Sequence, residues 1–160
     1  MSNTMRYRRG DTKPVFVAPA SATVIEIGDL VYLDAGTKQP KPASAQADEG
    51  NLLGNQMAFH DVFLGVAEQQ SRNGDTDPIR IATAGDFEFA CAAATFDLGD
   101  LIGAVEASSG TALEDQKVVE VAGEYAAIGR CCQPVAPAAT AVMVRIRSTV
   151  MEGLAAGVSG

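Results

Sequence analysis

Short runs in which apolar and polar residues alternate dominate the chain. Ile79, Ile81 and Thr83 alternate with Arg80, Ala82 and Ala84, and beyond Gly85-Asp86 the pair Phe87 and Phe89 flanks Glu88. Successive side chains of a strand point to opposite faces, so each run predicts a strand with one buried and one wet face, as in half-buried antiparallel sheet. Val142, Val144 and Ile146 alternate with Met143, Arg145 and Arg147 in the same way, and residues 24–33, 63–67, 118–121 and 127–133 complete the predicted strands. Residues 71–78 are a cluster of turn formers that ties one strand to the next. One short helix is predicted between Asn51 and Val62, from Leu52, Leu53, Met57, Ala58 and Val62. Residues 34–50, which include Pro40-Lys41-Pro42, carry no period and are expected as a surface excursion.

One order of signals occurs twice. Gly28-Asp29-Leu30-Val31 precedes Phe63-Leu64-Gly65-Val66-Ala67 and then Ile79-Arg80-Ile81; Gly99-Asp100-Leu101-Ile102 precedes Ala127-Ile128-Gly129-Arg130-Cys131 and then Val144-Arg145-Ile146. From Gly65 to Arg80 is 15 residues, and from Gly129 to Arg145 is 16. An internal duplication follows. The expected fold is mainly β: a compact antiparallel barrel or sandwich over residues 25–150, built from two similar halves at about 25–90 and 91–150, with one short helix and an extended N-terminal arm. Residues 151–160 are expected as a flexible tail.

A chain of 160 residues buries roughly 70% of its unfolded surface, enough for one sound core. No apolar run is long enough to span a bilayer, and the first residues are too polar for a signal peptide. The net charge of −8 argues against general binding to a phosphate backbone, which needs a broad cationic face. Of the three cysteines, Cys91, Cys131 and Cys132, two are adjacent; no disulfide framework is expected, and burial as small hydrophobes in a protein made in a reducing cytoplasm fits them.

The charge is unevenly spread. Residues 1–24 carry Arg6, Arg8, Arg9 and Lys13 against the single Asp11, a net +3, which leaves −11 for the rest. Pro14 and Pro19 favour an extended path, and Val15-Phe16-Val17 offers one short β segment. This segment reads as an arm that orders on an acidic neighbour, with Arg6, Arg8, Arg9 and Lys13 pairing with carboxylates and with Tyr7 and Phe16 as apolar anchors; the bland alternative is a frayed terminus.

Candidate catalytic and metal chemistry is sparse. Asn73, Asp75 and Asp77 have the spacing that opens a calcium loop, but Pro78 stands where glycine is required and Ala84 where the bidentate Glu should be, so a turn is expected. His60, the sole histidine, adjoins Asp61 and no complete site; Cys91 and Cys132 are poor candidates for a His-activated nucleophile. Asp29, Asp86 and Asp100 each follow a glycine, where Asp bonds the local backbone and does not form a catalytic carboxylate pair. No cofactor is implied.

The segment from Gly28 to Arg147 resembles the small β-rich capsid cement, or decoration, proteins of tailed bacteriophages. The carrying motifs are Leu64-Gly65-Val66-Ala67, Gly85-Asp86-Phe87-Glu88-Phe89, Gly99-Asp100-Leu101-Ile102, Ile128-Gly129 and Val144-Arg145-Ile146, in that order. The resemblance implies a structural protein, not an enzyme, bound in many copies to the outer capsid surface of the virion. It also implies the major capsid protein and further copies of itself, as a trimer, as partners, with neither nucleic acid nor membrane. Residues 34–62 and the basic arm depart from the family's pattern. A small β-barrel enzyme or ligand-binding protein, or a bacterial β-rich adaptor, is the alternative.

Overall fold

The alternating runs fold into two sheets in the computed structural model, which describes residues 4–108 and 110–153. The strands are β1 (Arg6–Arg9), β2 (Val15–Val17), β3 (Leu30–Leu33), β4 (Pro40–Pro42), β5 (Phe63–Ala67), β6 (Ile79–Ala82), β7 (Ala84–Phe96), β8 (Leu101–Glu106), β9 (Leu113–Glu120), β10 (Gly129–Gln133) and β11 (Val135–Arg147); helix α1 (Leu52–Val62) runs directly into β5. One sheet has the order β2-β6-β5-β3-β4 and the other β1-β7-β11-β10-β8-β9. A parallel pairing of β7 with β9, Ala90 opposite Lys117 and Cys91 opposite Val118, curls the second sheet back on itself. All other strand pairings are antiparallel.

Two runs of five strands share one strand order. Within β2–β6 and within β7–β11, the first strand lies beside the fifth, then come the fourth, the second and the third. The junction of the two units is Thr83, so Val15–Val17 belongs to the first unit and all of β7 to the second, whereas the sequence motifs place the boundary near residue 90.

The Gly-Asp corners match bond for bond. Gly28 and Gly99 have φ of +98° and +92°, a region that only glycine enters without strain. The side chain of Asp29 accepts from Glu26 N at 2.9 Å and that of Asp100 from Asp97 N at 2.8 Å, each closing a turn. Gly28 N donates to Ala67 O, and Gly99 N to Cys131 O, at 2.8 Å in both units. Val31 then stands opposite Gly65 as Ile102 stands opposite Gly129. The third motif is offset: a Cβ built on Gly65 meets the carbonyl of Ala82, and one on Gly129 that of Arg145, so Arg145 corresponds in space to Ala82 and not to Arg80. A slip of two residues preserves which side chains face inward, so the core tolerates it.

The main core gathers Leu30, Tyr32, Phe59, Phe63 and Val66 from the first unit with Phe87, Phe89, Phe96, Ile102, Val144 and Ile146 from the second. Aromatic rings meet tilted or edge-on, Tyr32 with Phe59 at 6.0 Å and Phe59 with Phe63 at 5.5 Å between centroids. The first sheet is apolar on its other face too, where Ile25, Val31, Leu64, Ile79 and Ile81 cluster with the half-buried Val15 and Val17. Every residue of β5 is therefore buried.

Helix α1 begins at Asn51, whose side chain accepts from Gly54 N at 2.7 Å. It buries Asn55, Gln56 and Phe59 and leaves Leu53 and Met57 part-exposed. The patternless stretch before it is only partly a surface excursion: Pro40–Pro42 pairs with β3 as an edge strand, a position where proline's missing N–H costs no ladder bond. Of the expected tail, Thr149–Gly153 forms a single π-helical turn and residues 154–160 lie outside the described residues.

Candidate interaction surface

The N-terminal segment is extended but is not separate from the body. Residues Arg6–Arg9 pair antiparallel with β7, Arg6 opposite Glu88 and Tyr7 opposite Phe87. Asp86 and Glu88 point outward from β7 because Phe87 and Phe89 point into the core, and the outward carboxylates meet the arginines. Arg8 pairs with Glu88, and Arg9 Nε donates to Asp86 Oδ2 at 2.9 Å. Tyr7 packs edge-on against Phe87 at 5.5 Å, and its hydroxyl donates to Gly10 O at 2.8 Å. Residues 6–9 thus lie along the chain's own second sheet. The opposite sign that residues 6–13 need is supplied in part by the chain's own second sheet.

Asp86 is the centre of this arrangement. It is almost fully buried, and Arg145 on β11 binds it from the other side through two bonds, Nε to Oδ1 at 2.8 Å and Nη2 to Oδ2 at 3.1 Å. Hydrogen bonds from Arg145, reinforced by Arg9, hold its carboxyl below the usual range against the opposing effect of burial. Both arginine side chains stay more than half exposed.

Upstream, Gln116 on β9 fastens the start of the segment. Its buried side chain accepts from Thr4 N and Met5 N at 2.8 and 2.9 Å and donates to Ile27 O and Asp29 Oδ1, both at 3.0 Å. All four hydrogen-bonding positions of the amide are used. Asp29 is buried beside it, no cation among the described residues pairs with it, and desolvation pushes its carboxyl up to about 6 despite the bonds from Gln116 and Glu26. Asp115, also buried, is raised for the same reason while accepting from Ser44 N and Oγ at 2.7 and 3.0 Å. These two acids and Gln116 form the polar seam between the units.

The remaining candidates lie apart. Lys13 has a left-handed φ of +41° and its Nζ is 3.7 Å from Glu152. Phe16 stands on β2, at the edge of the other sheet, 62% exposed, with the Arg80 guanidinium 5.9 Å from its ring centre. The structure therefore brings Arg6, Tyr7, Arg8 and Arg9 together and leaves Phe16 on a different sheet.

An open depression of about 950 Å³ is lined by Lys13, Arg130, Arg145 and Arg147 together with His60, Asp61 and Glu124. Arg130 pairs with Glu124 at 2.9 Å, and His60 Nδ1 is 2.6 Å from Ala127 O, so that ring holds the end of α1 against the turn at Glu124–Ala126. Burial raises the thiols of Cys91, Cys131 and Cys132, which keeps them protonated and poor nucleophiles. Asp75 accepts from Arg72 N at 3.3 Å within its turn.

Gln116 and Asp115 carry no mark in the sequence, and Arg145 and Glu88 stand there only as motif residues and not as site residues. For Arg145 and Glu88 the outward phase of their alternating runs was the available signal; for Gln116 and Asp115, within 113–117, there was none.

No known protein family matches the chain, and no curated protein matches it. Among solved structures it is similar to the N-terminal base of the head fiber protein gp8.5 of bacteriophage phi29, at 13% identity and a TM-score of 0.48, over 83% of this chain and 93% of that one.

Proposed function

We propose that the protein is a structural component of the tailed-phage head that binds the outer surface of the assembled capsid and reinforces contacts between major capsid subunits. The observation that supports this reading is that the motifs carrying the resemblance to cement proteins, Gly99-Asp100-Leu101-Ile102, Leu64-Gly65-Val66-Ala67 and Val144-Arg145-Ile146, are framework elements of two topologically equivalent units. The face offered to the capsid is the outer side of β1, β7 and β11, where the exposed side chains of Arg8, Arg9 and Arg145 suit a carboxylate-bearing subunit. The test is to mix the purified protein with mature heads and with unexpanded proheads and to sediment each. Stoichiometric binding to mature heads supports the proposal, and absence from both pellets overturns it.

A further inference from the structure

Three strand edges of the two sheets end without a neighbour among the described residues, at β1, β2 and β4. An unpaired edge is a template for another chain, and proteins blunt it with charge, proline or cover. The strand β1 is Arg-Tyr-Arg-Arg, so a second copy aligned on it would set arginine near arginine. The strand β4 is Pro-Lys-Pro, with two residues that cannot donate. Within β2 itself neither device is present, although Pro14 directly precedes it and the Arg80 guanidinium lies over the Phe16 ring. The strand reads Val-Phe-Val, residues 14–25 hold no ionisable side chain, and Phe16 is 62% exposed.

The second unit shows what this position can carry. Its equivalent strand, β7, has the corresponding side covered, by β1 along Asp86–Glu88 and by β9 along Ala90–Cys91. In the first unit β2 and β4 do not meet, and no strand among the described residues pairs with that side of β2.

We infer that β2 is a self-association edge, where a second copy of this chain adds its own β2 antiparallel across a two-fold axis to make one sheet from two. Val-Phe-Val is self-complementary in that arrangement: Phe16 stands opposite Phe16 and Val15 opposite Val17, both favourable cross-strand pairs. Two bodies of net charge −8 repel, and a stretch without charge is where they approach at least cost. Because proline blocks the far edge of the same sheet, the contact closes at two copies and does not propagate into a fibre. Three residues on each side bury little area, so the dimer is weak in dilute solution and gains strength where many copies are held side by side. The inference does not depend on capsid binding.

The test is sedimentation equilibrium of the full chain over a wide concentration range at low and high salt, with Phe16→Lys as the edge variant and Tyr125→Lys, at another exposed aromatic, as the control. A monomer–dimer equilibrium that persists in high salt, is weakened at least about tenfold by Phe16→Lys and is unchanged by Tyr125→Lys is the expected result. Hydrogen exchange at residues 15–17, slowed at high concentration of the unmodified protein, reads the same contact without a variant. A monomer at every concentration, a trimer, a dimer indifferent to Phe16→Lys, or exchange at 15–17 independent of concentration overturns it.

Discussion

Gly65 and Gly129 occupy the same place in the two units, and each lies against a carbonyl of the neighbouring strand with no room for a side chain. A Cβ on Gly65 would sit 1.8 Å from Ala82 O, and one on Gly129 2.2 Å from Arg145 O. Either substitution by alanine forces β5 from β6 or β10 from β11, and the expected loss is about 3 kcal/mol. Gly99→Ala is the comparison: its φ is +92° but nothing lies within 4 Å, so the backbone term alone applies, about 1 kcal/mol. Urea unfolding of the three variants checks the ranking.

The buried seam makes stability depend on pH with an unusual sign. The carboxyl of Asp29 is pushed up to about 6 from 3.8, so between those values the folded protein holds a proton that the unfolded chain has released. Its stabilisation is complete below 3.8 and is lost as pH rises through 6, to the extent of about 3 kcal/mol. Asp115 is raised and acts in the same direction. Asp86 is lowered and acts oppositely, its stabilisation present above 3.8 and lost as pH falls further. Stability should therefore be greater near pH 4.5 than at pH 7.5. Asp29→Asn, fixed in the neutral state, should flatten the difference when unfolding is measured at both pH values.

How far the sequence led depended on whether a feature was local. The Gly-Asp corners were legible because a glycine at positive φ and an aspartate closing its own turn leave a mark on adjacent residues. The alternation at Phe87-Glu88-Phe89 predicted both a core and a wet face, whereas the apolar spacing gave the extent of α1 but not its buried face, which is Asn55, Gln56 and Phe59 with Leu53 and Met57 exposed. The partners of the basic segment were not legible, because Arg9, Asp86 and Arg145 are brought together only by the pairing of three strands distant in sequence. Val15–Val17 was too short to show that it opens the first repeat. The two-residue offset of the third motif is a register choice, and both registers keep the same inward pattern.

Asp86 couples β1 to β11, and its removal tests that coupling. Asp86→Asn deprives both guanidinium groups of their anion, and a loss of about 2 kcal/mol is expected. Arg145→Ala should destabilise more than Arg9→Ala, since Arg145 makes the bidentate contact and leaves the buried carboxylate with one partner. A double-mutant cycle between Arg9 and Arg145 should give non-additive losses. Additive losses would mean that the two arginines bind Asp86 without coupling to each other.

Gln116 decides whether residues 4–9 behave as part of the body or as an arm. Thr4 N and Met5 N donate to the same side-chain oxygen, and the amide group on the other branch is anchored by Ile27 O and Asp29. Gln116→Ala leaves two donors and two acceptors without partners in a buried place, so the start of the chain should be released and β1 should fray from β7. The expected result is faster hydrogen exchange at Arg6–Arg9, together with a stability loss of about 3 kcal/mol. Exchange at Phe87 and Phe89 should change less, because β11 still covers the other side of β7. If exchange at Arg6–Arg9 is already at the unprotected rate in the unmodified protein, then β1 is not held by Gln116, and the basic segment is free to reach an external partner after all.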